Sequence, residues 1–381
     1  MKRLIIIGGG FGGFYFAKKL EKYKQLELVL VNPTEFFEYT PLIHEVCVGE
    51  IPSNTVKIYY QNSLKRTNFI KSKVKKIIFK KKEIVLDNNK YISYDYLTIC
   101  SGALPRKQIE GSENLPTLHN LNDALKIKQI LLKMLKKKKC VFSVIGEGAT
   151  GTELVGELGT YKNRFNKNFK IHHFLFFKNY FMNYPGFDYV IKKRMKQLGI
   201  NVHPLEPVVK INNNLIITKK RTYHSDIIII CTGVKPVIIE SDISFESGYL
   251  VNNFCELKET ENVYVIGDAA LFPFKGKYAP NLAQVAVKQA NFIVKDIIRK
   301  EKNKRRKKLN LKIDFFVISI GKHFGLGRIF DKFTLKSVVF WILKRTYYFF
   351  NIIQLAKKIS IIKYYLISLF LSKRFLREKN G

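Results

Sequence analysis

Leu4-Ile5-Ile6-Ile7-Gly8-Gly9-Gly10-Phe11-Gly12-Gly13 decides the fold, and it has a counterpart in Val141-Phe142-Ser143-Val144-Ile145-Gly146-Glu147-Gly148-Ala149-Thr150-Gly151. In each, an apolar strand runs into G-x-G-x-x-G and continues in a helical pattern. Gly8 and Gly146 permit the tight turn after the strand, and Gly10 and Gly148 let the backbone approach a pyrophosphate. Gly13 and Gly151 let the helix pack close to the sheet, its N-terminal amides facing the phosphates. Phe11, Gly12 and Thr150 complete the two loops. One such loop is a weak signal. Two, each between a strand and a helix, imply two dinucleotides in one polypeptide, and such a chain is suited to passing electrons between them.

Outward from the first loop, the pattern predicts a helix to about Tyr23 and a strand over Leu26–Val31. An acid ordinarily ends that second strand and accepts hydrogen bonds from the adenosine ribose. Asn32 stands there, and an amide can still bond a hydroxyl. Tyr94–Gly102 is an apolar strand that stops at Ser101 and Gly102, and Asp226–Gly233 repeats it, stopping at Thr232 and Gly233. Each would return the chain beneath a bound dinucleotide, where only small residues fit. Another strand, Asn262–Ile266, ends in Gly267-Asp268, and an aspartate so placed can accept hydrogen bonds from a ribityl hydroxyl of a flavin. Apolar residues at 282, 285, 286, 290, 293 and 294 predict a half-buried helix within Pro280–Ile298. The basic run Lys300–Lys308 reads as a solvated loop.

The 381 residues suffice for two domains and a tail. Five cysteines, at 47, 100, 140, 231 and 255, have no metal-type spacing, and their odd number argues against a secreted disulfide framework. The seven histidines form no ligand spacing either, so no metal is expected and none of them is given a role. The reading is a reduced, cytosol-facing protein. The isoleucines after Met1-Lys2-Arg3 end at the glycines, too soon for a signal peptide. The net charge of +37 has three readings: a compositional bias toward lysine, an anionic membrane surface, or nucleic acid.

From Thr334 onward aromatic and aliphatic residues alternate with cations. Residues 331–381 hold eleven Lys/Arg against two acids, and no uncharged apolar stretch reaches the length of a membrane-spanning helix. The pattern suits a C-terminal amphipathic helical tail lying in lipid headgroups, although the cations do not keep to one face. Helices docked on the core or on a partner subunit, as in a homodimer, are the other reading.

These motifs, in this order, resemble the type II NADH:quinone oxidoreductases among the two-dinucleotide-domain flavoproteins. Gly146–Leu154, with its Thr-Gly-x-Glu continuation, and Ala283-Gln284-Val285-Ala286 are the specific matches. Thr40-Pro41-Leu42 is similar to the family's flavin-facing segment, and the likeness spans roughly residues 3–330. It implies an α/β fold of two Rossmann-like domains, the second inserted in the first. FAD would be held by 1–112 and 253–330, the latter carrying the quinone-side segment, and NADH or NADPH by 113–252. Residues 331–381 would attach peripherally to the cytoplasmic face of the cell membrane.

By the same resemblance, hydride passes from nicotinamide to flavin and the electrons then reduce a membrane quinone without proton pumping. Glu153 lies near the nicotinamide and assists proton delivery, Gln284 orients quinone or flavin, and Pro41 and Ala283 border the flavin. Two departures bear on specificity. Lys178 follows the strand read as Ile171–Phe177, where NADH-preferring members have an acid, which keeps NADPH open. Lys288 stands where the family has a second Gln, with Gln289 one place on. Two alternatives remain: a soluble FAD-dependent NAD(P)H reductase serving ferredoxin, and a flavin-bearing nucleic-acid-binding protein resembling apoptosis-inducing factor. Aromatics are not interleaved with the basic runs at 136–139 and 302–308, so nucleic acid is not the expected partner.

Overall fold

Leu4, Ile5 and Ile6 are wholly buried because the strand that carries them is covered on both faces, which a continuous apolar run requires of a parallel sheet. The computed structural model describes residues 1–182, 184, 186–313, 315–329, 333–338, 340–342, 344, 359 and 362–363. In it Lys2–Ile7 is the centre of a five-stranded parallel sheet, between Leu26–Asn32 and Tyr96–Ile99, with Asn68–Lys71 and Val263–Val265 at the edges. The helix Phe11–Leu20 packs against the helix Ala283–Glu301. Val285, Ala286, Ala290, Ile293 and Val294 are buried along the latter, at the spacing the sequence shows. The lysine-rich stretch forms antiparallel strands, Val74–Ile78, Glu83–Leu86 and Tyr91–Ser93.

The second unit repeats the plan. Lys139–Ile145 lies between Asn168–Phe174 and Ile227–Ile230, with Ile200–His203 outermost, all parallel. Ile145, Phe174, Ile228 and Ile230 pack on Val208, Ile211 and Ile216 of an antiparallel sheet formed by Val208–Asn212, Leu215–Thr218 and Thr222–His224. Each such side chain, fully buried, contributes about 1.5–3 kcal/mol before conformational entropy is set against it.

Compact unit one comprises Met1–Glu38, Lys57–Leu104 and Val234–Ile313, and unit two comprises Tyr39–Val56, Pro105–Gly233 and the portion from residue 314 onward. Along the chain, unit one is interrupted by segments of unit two. Residues 105–112 fall in the second unit, where the Ile211 N–H donates to the Glu110 carbonyl and Ile109 covers the core. Residues 234–252 stay with the first, where Asp242 accepts from the backbone N–H groups of Phe79 and Lys80. Tyr39–Val56 crosses over because its helix, Ile43–Cys47, packs on Leu121–Met134 and Ala149–Arg164, while Glu50 pairs with Arg164 at 2.7 Å.

Lys302, Lys304, Arg305, Lys307 and Lys308 are exposed, as a solvated loop requires, and Arg306 departs from that pattern. Within Lys300–Lys308, Arg306 binds Asp296 at 2.5 Å and Glu256 at 2.8 Å, and lies 4.2 Å from the Phe254 ring centroid. Burial of the two acids leaves a cation as their best partner, so this arginine is drawn out of solvent. Within the region 331–381 the first described residues are a strand, not the expected helix. Phe333–Ser337 is the third strand of an antiparallel sheet with Phe315–Ser319 and Gly325–Ile329. Residues 338, 340–342 and 344 then turn helically. Most of the expected amphipathic region lies outside the described residues, among which no helix is long and apolar enough to cross a membrane.

Candidate active site

In the first unit Gly8 sits at φ +95°, and a Cβ there would collide with the Cys100 carbonyl. A Cβ on Gly13 would collide with the Gly8 carbonyl and one on Gly12 with the Ile266 side chain, whereas one on Gly10 meets nothing within 4 Å. The crowded glycines close the turn, and the open one leaves a cradle that only an incoming group would fill. Phe11 begins the helix here, its ring edge-on to Phe37 at 4.9 Å. Asn32 Oδ1 accepts from the Gly9 N–H at 2.8 Å, while its Nδ2 donates to the carbonyl and hydroxyl of Thr34, each at 2.9 Å. An aspartate could accept but not donate, which accounts for the amide at this place. The Tyr60 hydroxyl donates to the Gly9 carbonyl at 2.9 Å.

The turn after the return strand sits beside this cradle. Ser101 Oγ donates to the Val237 carbonyl at 2.7 Å, and Gly102, at φ +68°, has open space where a Cβ would stand. Gly267 and Asp268 form a short 3-10 turn after Val263–Val265, both half-buried. Ala283 and Gln284 open the helix nearby in sequence. The displaced Gln289 supports that turn: its Oε1 accepts from the Gly267 N–H at 2.8 Å. Its buried Nε2 has no hydrogen-bond partner among the described residues. Lys288 instead donates to the Lys312 carbonyl at 2.5 Å. Open space at Gly10 and Gly102 and an acceptor at Asp268, at the carboxyl ends of parallel strands, fit a flavin dinucleotide.

The second unit copies this geometry. A Cβ on Gly146, at φ +119°, would collide with the Cys231 carbonyl, and one on Gly151 with the Gly146 carbonyl, while Gly148 is open. Thr150 lies in the first turn of the helix Ala149–Arg164. Thr232 Oγ1 donates to the Arg106 carbonyl at 2.6 Å, and Gly233, at φ +88°, is again open. These residues fit a second dinucleotide. Behind the loop, His173 Nε2 faces the Gly146 carbonyl at 2.9 Å and Nδ1 faces the Tyr180 hydroxyl at 2.7 Å. The imidazole therefore donates through Nε2 and accepts through Nδ1. Burial pushes its pKa down to about 4, keeping it neutral. The sequence hinted at this only through an unbroken strand that turns one histidine inward.

Lys178 is not where the sequence reading put it. The strand ends at Phe174, not Phe177, and Lys178 is exposed further along, its carbonyl accepting from Lys192 Nζ at 3.0 Å. Gly8 N–H donates to the Val31 carbonyl and Gly146 N–H to that of Phe174. Asn32 thus corresponds to Leu175, which is wholly buried. The apolar Leu175-Phe176-Phe177 prolonged the pattern of the strand without continuing its pairing.

The largest omission surrounds Glu153. Ser319 N–H donates to Glu153 Oε1 at 3.1 Å, and Lys344 Nζ donates to the Glu153 carboxylate and, at 3.0 Å, to Ser319 Oγ. His44 Nε2 lies 3.2 Å from Ser319 Oγ, and its Nδ1 lies 3.7 Å from Glu153 Oε2. Glu153 is 9% exposed, Lys344 and His44 are 3% and Ser319 is 0%. Glycines make the convergence possible. Gly156 presses on the backbone of Ile320 and Gly321, and Gly325 and Gly327 press on the Trp341 backbone and the Phe340 ring. A carboxylate, an ammonium, an imidazole and a hydroxyl within reach of one another can store and relay a proton. Pro41 lies in the same unit, in the short turn Thr40–Leu42 that leads to His44. Gln284 belongs to the other unit.

All five cysteines are free, and burial pushes their thiols up, that of Cys231 to about 12. Among the described residues no group of His, Cys, Asp and Glu could hold a metal ion.

The family model described as pyridine nucleotide-disulphide oxidoreductase matches residues 2–290. Ferroptosis suppressor protein 1 of Taeniopygia guttata is 24% identical over 344 residues, covering 86% of this chain and 88% of that protein. A type II NADH:quinone oxidoreductase of Haemophilus influenzae is 23% identical over 87% of this chain and 88% of its own. The structure of NDH2 from Plasmodium falciparum in complex with NADH superposes with a TM-score of 0.88 at 18% identity, covering 98% of this chain and 99% of that one.

Proposed function

This chain belongs to the pyridine nucleotide-disulphide oxidoreductase family, and from that premise we propose that it is an FAD-dependent NADH:quinone oxidoreductase of the type II kind. The observation that carries the reading is the duplicated cradle. Two open glycines, Gly10 and Gly148, each sit in a turn closed by crowded ones, Gly8 and Gly13 in the first and Gly146 and Gly151 in the second. Bound FAD would supply the redox chemistry, taking a hydride from NADH and delivering two electrons to a quinone. No two cysteines lie close along the sequence, which supports a quinone over a disulfide as the acceptor.

The protein's own residues do the rest. The first cradle, Asn32, Ser101, Gly102 and Asp268 hold FAD, and Gly146–Gly151, Thr232 and Gly233 hold NADH. Reducing a quinone takes two electrons and two protons, and a hydride carries only one of those protons. Glu153, held by Lys344, Ser319 and His44, is the group best placed within its unit to supply the other. Lys344 Nζ donates to that carboxylate and to Ser319 Oγ, fixing where it sits.

Anaerobic titration with NADH tests this directly. Loss of oxidised-flavin absorption, restored by a short-chain quinone, is the expected result. A yellow protein that NADH does not bleach would end the dehydrogenase reading. The finer proposal is peripheral attachment to anionic lipid at the cytoplasmic face through the basic C-terminal region, with a homodimer in solution. Vesicle flotation of the full chain against one ending at residue 345 checks the attachment, and sedimentation checks the dimer. A cut at 331 would be uninformative, since it removes a sheet strand and Lys344 together.

A further inference from the structure

Resting on the NADH reading above, one question is left by Leu175: which group recognises the adenosine ribose in the second unit. Rossmann sites ordinarily place an acid at the tip of the second strand, where it accepts from the 2′-hydroxyl. Leu175 occupies that place, is wholly buried and offers no acceptor. A carboxylate nonetheless reaches the strand tip from the loop. Glu147, between the first two glycines, accepts from the N–H of Phe176, the residue after Leu175, through Oε2 at 3.1 Å. Its other oxygen has no hydrogen-bond partner among the described residues, and the side chain is half-exposed. The matching position in the first loop is Gly9, where a Cβ would collide with the Tyr60 hydroxyl. That loop cannot supply a side chain here, and Asn32 serves from the strand instead.

We propose that Glu147 is the specificity-determining residue for the nicotinamide nucleotide, with Oε2 fixed by the Phe176 N–H and Oε1 accepting from the adenosine 2′-hydroxyl of NADH. The same carboxylate repels the 2′-phosphate of NADPH, which carries about −1.5 to −2 charges at neutral pH. Lys178, several residues past the strand end and exposed, does not set the preference.

The test uses the full FAD-loaded chain and two unreactive fragments, ADP-ribose and 2′-phospho-ADP-ribose, with affinities read by titration calorimetry. The wild type should bind ADP-ribose at least about 30-fold more tightly, in the range of a like-charge penalty at a partly solvated site. Glu147→Gln keeps the acceptor for Phe176 N–H and removes the charge. It should narrow that ratio to within about 5-fold. Lys178→Ala should leave the ratio unchanged. The inference is overturned if the wild type binds the two fragments equally, if Glu147→Gln retains full discrimination, or if Lys178→Ala alone shifts the ratio. The wild-type comparison stands even should the Gln variant fail to fold. A wild type that does not discriminate while NADH still bleaches its flavin sinks this inference alone; a wild type that binds neither fragment and is not bleached sinks the function with it.

Discussion

At the first loop a tyrosine hydroxyl donates to the Gly9 carbonyl and an asparagine side chain accepts from the Gly9 N–H. At the second, a buried histidine donates to the Gly146 carbonyl and a glutamate of the loop itself reaches out to the strand. Between these supports the glycine geometry is the same: a first glycine against a cysteine carbonyl, a last glycine against the first, and an open one between. The return turns agree too, with Ser101 and Thr232 each donating to a nearby carbonyl. Backbone approach to a pyrophosphate admits one solution, so it appears twice. Fastening the loop admits several, and the two units have diverged there.

The strongest way to break this comparison is to fill one cradle at a time. Because a Cβ at Gly148 or Gly10 meets no protein atom within 4 Å, valine at either place should leave the fold intact and exclude only its ligand. Gly148→Val should retain FAD and slow NADH-driven flavin reduction at least ~100-fold, the scale expected when positioning is lost. Gly10→Val should yield colourless protein that still binds ADP-ribose. Stopped-flow reduction and flavin content measure both, and normal NADH oxidation by Gly148→Val would mean the loops are misassigned.

The ionisable cluster of the second unit gives the next effect. Lys344→Met should slow flavin reoxidation by quinone about 10–100-fold while leaving reduction by NADH unchanged, in keeping with the loss of the cation that positions Glu153 for proton transfer. It should also cost about 3–5 kcal/mol of stability, since Glu153 would stay buried without its cation. Adding Glu153→Gln should recover most of that stability but not the rate, which chemical denaturation and reoxidation kinetics would separate.

Acid should separate the two loops as well. His173 has a folded pKa of about 4 against an ordinary value near 6.5, so the folded state binds fewer protons than the unfolded one between those values. Its contribution is intact above pH 6.5 and is lost as the pH falls toward 4, by up to about 3 kcal/mol. Tyr60, its counterpart, is pushed upward by burial and does not titrate there. Hydrogen-exchange protection factors around Gly146, taken relative to the intrinsic rate, which itself slows in acid, should therefore fall from pH 7 to 5 more than those around Gly9. His173→Gln should remove the difference. The smallest effect is expected of Asn32→Asp, where the added charge is offset by two lost donor bonds to Thr34. FAD affinity should change by no more than about 1 kcal/mol.

Both loops, both return strands and the helix Ala283–Glu301 were legible because glycine placement and apolar period report backbone geometry directly. Lys178 was misplaced because Leu175-Phe176-Phe177 are as apolar as the strand they follow, and pairing leaves no mark on composition. His44, Ser319 and Lys344 were invisible as a group. They are hundreds of residues apart in part, and Lys344 looks like one more surface cation until Phe340 and Trp341 are seen to be buried beside it. Tyr39–Val56 gave no sign of leaving its neighbours, since its helix is short and its partners come much later in the chain.

The seat of Lys344 also sets an order of events during synthesis. The first unit has all its segments by Ile313, whereas the second, begun at Tyr39, waits for the final sheet and the lysine beyond it. At roughly 5–20 residues per second, a ribosome would release the Glu153 carboxylate well before its counter-ion. A message truncated just short of codon 344 would yield a chain able to complete its first unit while its second stays ionically unfinished, a defect that quality control could act on before any substrate is met.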